Sequence, residues 1–395
     1  MNNWINPKII IGNTATGDYY FDRPQIVAQI WEEIAKGNHV LLAAPRRVGK
    51  SSVMEYISQN SPEGIKCIFR NIEGIQSEDE FYRKIYELIV LCLSRFQKSK
   101  NWLSDLVGNI NITEITLEGI KFGESKSVNY LDEINKILPK LKENDVKIVL
   151  FLDELPEVLN NLYKTNNTNH ASTILDNLRQ WRQTPSLKKH FCMVLAGSVG
   201  IHHVVKMIDG RIADINDLYK IQFEALTKNE AQAYIDWATE TATVKYDADL
   251  KSHLLDKISY PLPYFINLIL DEVNKKAKNV NDSNITNDHI DTAFDAIVKH
   301  SDHFVEWKNR LFNYFPIAES DFMNKALIQI SHKHKITKRK LYDLAVEHQR
   351  TNDYIELMDG LERDGYITEQ SENYVFVSPF LKAFWKRTNP FYDGK

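Results

Sequence analysis

Hydrophobic and polar positions fall into runs whose period separates strands from helices. Val40-Leu-Leu-Ala-Ala44, Ile148-Val-Leu-Phe-Leu152 and Phe191-Cys-Met-Val-Leu-Ala196 are short and continuously apolar, the pattern of strands buried on both faces of a parallel sheet. Between and before them the spacing becomes helical, from Pro24 to Ile34, from Ser52 to Ile57 and, as an amphipathic helix, from Glu78 to Phe96. Residues 39–75 read as the first two strands and the helix joining them, and Tyr219-Lys-Ile-Gln-Phe223 as a further strand. From Asn109 to Lys121 apolar residues alternate, predicting a short inserted hairpin, whereas the Asn- and Thr-rich stretch from Asn160 to Asn169 predicts a surface loop.

Past residue 226 the strand signal gives way to helical spacing. Thr227-x-x-Glu230 is a capping box opening a helix through Thr241, and three further helical stretches follow to about residue 300, one opening near Pro263. The last hundred residues read as helix, helix, helix, then two strands, with Ile336 to Leu341 opening the second helix, Tyr354 to Leu361 in the third, and Gly365-Tyr-Ile-Thr and Tyr374-Val-Phe-Val377 as a hairpin. That order is a winged-helix pattern. The expected division is 1–226 for an α/β core, 227–300 for a helical lid and 301–395 for a winged-helix domain.

Chemistry enters where the first apolar run ends. Ala44, Pro45, Arg46, Arg47, Val48, Gly49, Lys50 and Ser51, with Ser52 after them, sit between a strand and a helix, the context of a phosphate-binding loop. Gly49 lets backbone N–H groups turn inward, the helix N-terminus adds partial positive charge, Lys50 is placed for β- and γ-phosphates, and the Ser51 hydroxyl suits Mg²⁺. Ala44 stands where such loops usually begin with glycine. About a hundred residues on, Asp153 closes the second apolar run and Glu154 follows it. This places a Mg²⁺-holding carboxylate and a general base at a strand tip, where ligands of open α/β sheets bind. Ser198, after the third run, is a candidate contact for the γ-phosphate or the attacking water.

Phe21-x-Arg23, Pro45 to Ser51, Leu152-Asp-Glu-Leu-Pro156, Leu178-Arg-x-x-Arg182-Gln, Gly197-Ser198 and the tail Gly365-Tyr with Tyr374-x-Phe-x-Ser-Pro379 together resemble the AAA+-related ATPases grouped as STAND or archaeal-type. The likeness extends to origin-recognition ATPases and is strongest to bacterial members. It implies a P-loop fold with a five-stranded parallel sheet, a helical lid and a terminal winged helix, in which ATP binding and hydrolysis drive a switch. Pro261-Leu-Pro263 replaces the family's Gly-x-Pro, and no arginine lies between Tyr260 and Leu270. Arg211, before the Tyr219 strand, is where related ATPases place an arginine that completes a neighbour's site, so self-association or a protein partner is expected.

Other arginines keep several roles open. Arg46 and Arg47 either touch phosphates, brace the loop or face a partner; Arg179 and Arg182 share a helix face and either reach a phosphate or a neighbouring subunit or join a salt-bridge network. Lys333, Lys335, Lys338, Arg339 and Lys340 form a basic patch, but the third C-terminal helix carries Glu356, Asp359, Glu362 and Asp364, which repel phosphates. Protein docking or autoinhibition thus stands beside DNA contact, and an ATP-responsive DNA-associated regulator or scaffold is the alternative to a hydrolysing switch. A net charge of −4 argues against a surface coated in nucleic acid. No apolar run spans a membrane and Met1 to Pro7 lacks signal-peptide character, so a cytoplasmic protein is expected. Cys67, Cys92 and Cys192 are isolated in apolar runs, predicting buried free thiols. His202-His203 and His332-Lys-His334 lack the accompanying ligands of a metal site.

Overall fold

The computed structural model describes residues 4–96, 100–107, 112–116, 119–122, 128–165, 168–197, 200–210, 213–300 and 302–392. The chain divides into two compact units, one of Asp22–Ala43 and Lys50–Phe223, the other of Met1–Phe21, Ala44–Gly49 and Glu224–Lys395.

The first unit runs α1 (Pro24–Lys36), β1 (Val40–Ala43), α2 (Lys50–Gln59), β2 (Ile65–Asn71), α3 (Glu78–Ser94), α4 (Lys100–Val107), β3 (Ile112–Ile115), β4 (Ile120–Phe122), α5 (Tyr130–Glu143), β5 (Lys147–Asp153), α6 (Leu155–Lys164), α7 (Thr168–Gln183), β6 (Phe191–Gly197), α8 (Ile201–Asp209) and β7 (Tyr219–Gln222). Five strands form one parallel sheet in the order β2-β5-β6-β1-β7. β6 is buried along its whole length, as is β5 after Lys147, which accounts for their unbroken apolar runs. β3 and β4 pair antiparallel as a separate hairpin.

Two helices depart from the sequence reading. α3 is apolar on one side only in its first turns; from Leu88 to Leu93 every residue is buried, because α3 packs on β2, β5 and α5. The expected loop from Asn160 to Asn169 is instead helical up to Lys164 and again from Thr168. Val158, Leu159 and Leu162 keep helical spacing and are buried, and Asn160 is drawn in with them. At the sheet's outer edge, Arg95 donates to the Cys67 carbonyl at 2.6 Å, blunting a strand that would otherwise be open to pairing. The three cysteines are buried and free.

The second unit contains α9 (Lys228–Thr239), α10 (Ala248–Ile258), α11 (Pro263–Val280), α12 (Asn287–Lys299), α13 (Asp302–Tyr314), α14 (Ile317–Lys333), β8 (Ile336–Thr337), α15 (Lys338–Glu347), α16 (Tyr354–Arg363), β9 (Ile367–Gln370), β10 (Asn373–Phe376) and α17 (Pro379–Thr388). The capping box at Thr227 and Glu230 is formed. β8, β10 and β9 make a small antiparallel sheet. α13, β8 and α17 extend the simpler order expected of the last hundred residues. Aromatic packing explains α17: Phe380 stacks on Phe294 at 4.4 Å and on Phe304 at 5.5 Å and reaches Phe265 at 5.4 Å. The stretches 227–300 and 301–395 therefore share one aromatic core.

Residues 4–21 are fastened to the same unit. Trp4 Nε1 donates to Asn274 Oδ1 at 3.0 Å, Asn267 Nδ2 to the Ile10 carbonyl at 3.0 Å, and the Lys8 amide to Ala238 at 2.7 Å. Phe21 packs edge-on against Tyr234 and Trp237. Among the described residues, no helix is long and apolar enough to cross a membrane.

Candidate functional site

In the sheet unit, Lys50 opens α2 and is only 6% exposed. Ser51, next on the helix, donates its hydroxyl to Asp153 Oδ2 at 2.5 Å. Asp153 ends β5 and is 2% exposed. Burial, and then the adjacent charge of Glu154, push its carboxyl above the ordinary carboxylate range, against the opposing pull of Ser51 and Lys50. Glu154 caps α6 in the left-handed region, at φ 62° and ψ 34°, a conformation costing a side-chain-bearing residue about 1–2 kcal/mol and concentrated at functional sites. Its amide donates to Asp153 Oδ1 at 3.1 Å. Ser52 follows on α2 and is half-buried.

β6 lies between β1 and β5, so the strand leading to the loop and the strand carrying the acidic pair are separated by one strand. Its last residue, Gly197, meets the first turn of α6: a Cβ there would stand 2.3 Å from Pro156 Cγ. Only glycine permits this approach. Ser198 and Arg211 lie outside the described residues.

The loop residues 44–49 belong to the other unit. Ala44 and Val48 are buried. Positive φ falls on Arg47, at 67°, and Gly49, at 106°, and not on Ala44, so the glycine expected at position 44 is not required by the backbone. Arg46 reaches Glu306 at 3.4 Å. The Arg47 guanidinium lies 4.7 Å from the Tyr264 ring centre, and burial, with Arg46 alongside, holds its pKa below the usual value. Pro45 packs beneath Gly365, whose φ is +75°. Of the three roles open to these arginines, bracing the loop is the one these contacts display. Tyr264, Glu306 and Gly365 were not marked as site residues by the sequence; Gly365 stood out only as part of the tail pattern.

The arginines of α7 are structural. Arg182 is buried, grips Asp217 through Nε at 2.9 Å and Nη2 at 3.0 Å, and also donates to the Asp214 carbonyl. Arg179 pairs with Asp214 at 3.1 Å. Both join the salt-bridge network. His202 Nε2 lies 3.0 Å from Lys220 Nζ, and His332 meets the Asn389 carbonyl at 2.8 Å. Among the described residues, no group of three or more His, Cys, Asp or Glu side chains is arranged to hold a metal. A magnesium ion carried by nucleotide phosphates needs only one or two protein oxygens.

A parallel sheet with this strand order, a buried lysine and a serine at the helix start, and an acidic pair at the strand tip define a P-loop nucleoside-triphosphatase fold. Residues 13–207 match the family model described as a predicted AAA-ATPase. A Walker-type ATPase of Pyrococcus abyssi is 16% identical, with 94% of this chain and 98% of that chain covered and a TM-score of 0.59. The ORC2 protein of Aeropyrum pernix, in ADPNP–ADP complexes, is 11% identical, covering 92% and 91% with a TM-score of 0.52. No curated protein matches the chain in sequence. The family match and the fold support an ATP-binding ATPase of the AAA+ class.

Proposed function

We propose that this chain is a Mg²⁺-dependent ATP-hydrolysing switch of STAND type with a regulatory or defence role. The observation that carries the proposal is the Ser51–Asp153 hydrogen bond at 2.5 Å beside buried Lys50. Two hard oxygen donors converge where an ammonium is available, a donor set that fits Mg²⁺. When bound, Mg²⁺ neutralises charge on the phosphates. Lys50 and the loop amides hold the β- and γ-phosphates. Glu154 accepts a proton as a water oxygen bonds to the γ-phosphorus and the β–γ bridging oxygen leaves with ADP. Arg211 is assigned the role of completing a neighbouring chain's site.

The C-terminal segment is read as a winged helix that docks protein rather than DNA. Lys338 pairs with Glu369 at 2.7 Å, Arg339 with Asp343 at 3.4 Å, and α16 carries Glu356, Asp359 and Glu362. Two of the five basic side chains of the patch are thus paired with carboxylates within the unit, which weakens the field offered to a phosphate backbone.

Steady-state phosphate release tests the central reading. Lys50→Ala should abolish nucleotide binding, and Glu154→Gln should bind ATP yet turn over at least about 10²-fold more slowly. Equal turnover by Glu154→Gln and wild type removes the general base. Turnover per chain that is independent of concentration, with no recovery when Arg211→Ala and Lys50→Ala proteins are mixed, removes the Arg211 role.

A further inference from the structure

Three consecutive residues of the phosphate loop are gripped within the C-terminal unit. Pro45 lies so close under the turn between α16 and β9 that a Cβ on Gly365 would stand 2.8 Å from Pro45 Cβ. Arg46 meets Glu306 of α13, and Arg47 stacks on Tyr264 of α11. These anchors are tied together. Tyr366, next to Gly365, donates its hydroxyl to the Trp307 carbonyl at 2.6 Å, and Phe265, next to Tyr264, stacks on the Trp307 ring at 6.4 Å. Turn, α13 and α11 therefore act as one support. Arg47 holds a left-handed backbone, at φ 67°, that side-chain-bearing residues leave when unrestrained.

We infer that Tyr264, Glu306 and Gly365 are positioning residues that lock the phosphate loop and slow the departure of bound nucleotide. The inference rests on the nucleotide reading of the loop. A loop whose amides wrap phosphates must open to release them, and opening here requires Arg47 to leave Tyr264 and Pro45 to leave the Gly365 turn. The exchange rate is then set by helices remote in sequence from the loop. None of the three residues is assigned to the reacting atoms.

The test uses the full chain and two readouts: release of a ribose-labelled fluorescent ADP chased by unlabelled ADP, and amide hydrogen exchange of residues 44–49 without nucleotide. Tyr264→Ala should quicken release about three- to tenfold, the range of a lost cation–π contact, and raise loop exchange. Tyr264→Phe should stay within about twofold of wild type because the ring is kept. Gly365→Ala should act in the same direction. In an Arg47→Gly background, which removes the cation and the left-handed strain together, Tyr264→Ala should add nothing. Faster loop exchange with unchanged release would overturn the control of departure, and unchanged loop exchange in a Tyr264→Ala protein of wild-type melting temperature would overturn the lock itself. If wild type binds no nucleotide, the reading of the site fails and takes the control of departure with it, while loop exchange still decides the lock.

Discussion

The Ser51 hydroxyl and the Asp153 carboxylate meet at 2.5 Å, tying the first turn of α2 to the tip of β5. This bond joins the residues proposed to hold Mg²⁺. Asp153 also carries a pKa raised by burial and by Glu154, so the ionised form that binds a cation is lost at a higher pH than for an ordinary carboxylate. Metal-dependent nucleotide affinity should weaken as pH falls through that raised value. Asp153→Asn should lower affinity and flatten this acidic limb; a titration of affinity against pH that is superimposable for the two proteins would contradict the assignment.

Gly197 offers a steric test of the same strand tips. A methyl at this position meets the Pro156 ring at 2.3 Å, and a proline in the first turn of α6 cannot swing aside as a flexible side chain would. Gly197→Ala should destabilise the protein by about 1–3 kcal/mol, as overpacking does, and displace the α6 start that carries Glu154. Denaturant unfolding at wild-type midpoint would show that α6 yields freely.

His39 should give the protein an acid-sensitive stability. Its Nδ1 accepts from the Met193 amide at 3.0 Å, and burial, then the charge of Arg182, depress its pKa from 6.5 to about 3. Between those values the unfolded chain takes up a proton that the folded chain refuses, so stability falls as pH drops, by up to about 1.4 kcal/mol per pH unit. His39→Asn retains an acceptor for Met193 and should reduce this slope. Urea midpoints between pH 6.5 and 4 measure it, and equal slopes would assign the acid sensitivity elsewhere.

Arg182 should be irreplaceable for folding. Its removal leaves Asp217 without the two-pronged partner that holds its carboxyl below the usual pKa against burial. Arg182→Ala should cost about 1.5–3 kcal/mol, the range for hydrogen bonds to a charged group, since Arg182 is buried while Asp217 stays open to water, and lysine should not restore the fork geometry. Thermal unfolding of the two variants at wild-type temperature would refute this.

What could be read from the sequence follows from what is local. The unbroken apolar runs of β1, β5 and β6 identify buried strands, and Lys50, Ser51, Asp153 and Glu154 stand out because their positions relative to those runs are local features. Sheet order is less accessible, since β6 enters between β1 and β5 through pairings distant in sequence. α6 is obscured by composition: asparagines suggest a loop while Val158, Leu159 and Leu162 keep helical spacing. α17 is written in Pro379, Phe380, Leu381, Phe384 and Trp385, but its reason for being, the rings of Phe265, Phe294 and Phe304, is distributed over three other helices. The supports of the loop are hidden for the same cause. Tyr264, Glu306 and Gly365 meet Pro45, Arg46 and Arg47 across more than two hundred residues.

The fastening of residues 4–21 to α9 and α11 gives the chain an order of assembly. During synthesis the opening segment emerges long before Ala238, Asn267 and Asn274, the residues that receive it. The sheet unit, whose strands all lie before residue 224, can close before those partners have been made. Domains fold largely as units as they emerge, and here residues 4–21 find their partners only once α9 and α11 have been made. A chaperone that shields Trp4 and Phe21 in that interval would act chiefly on nascent chains, because in the fold Trp4 is bonded to α11 and Phe21 is packed on α9.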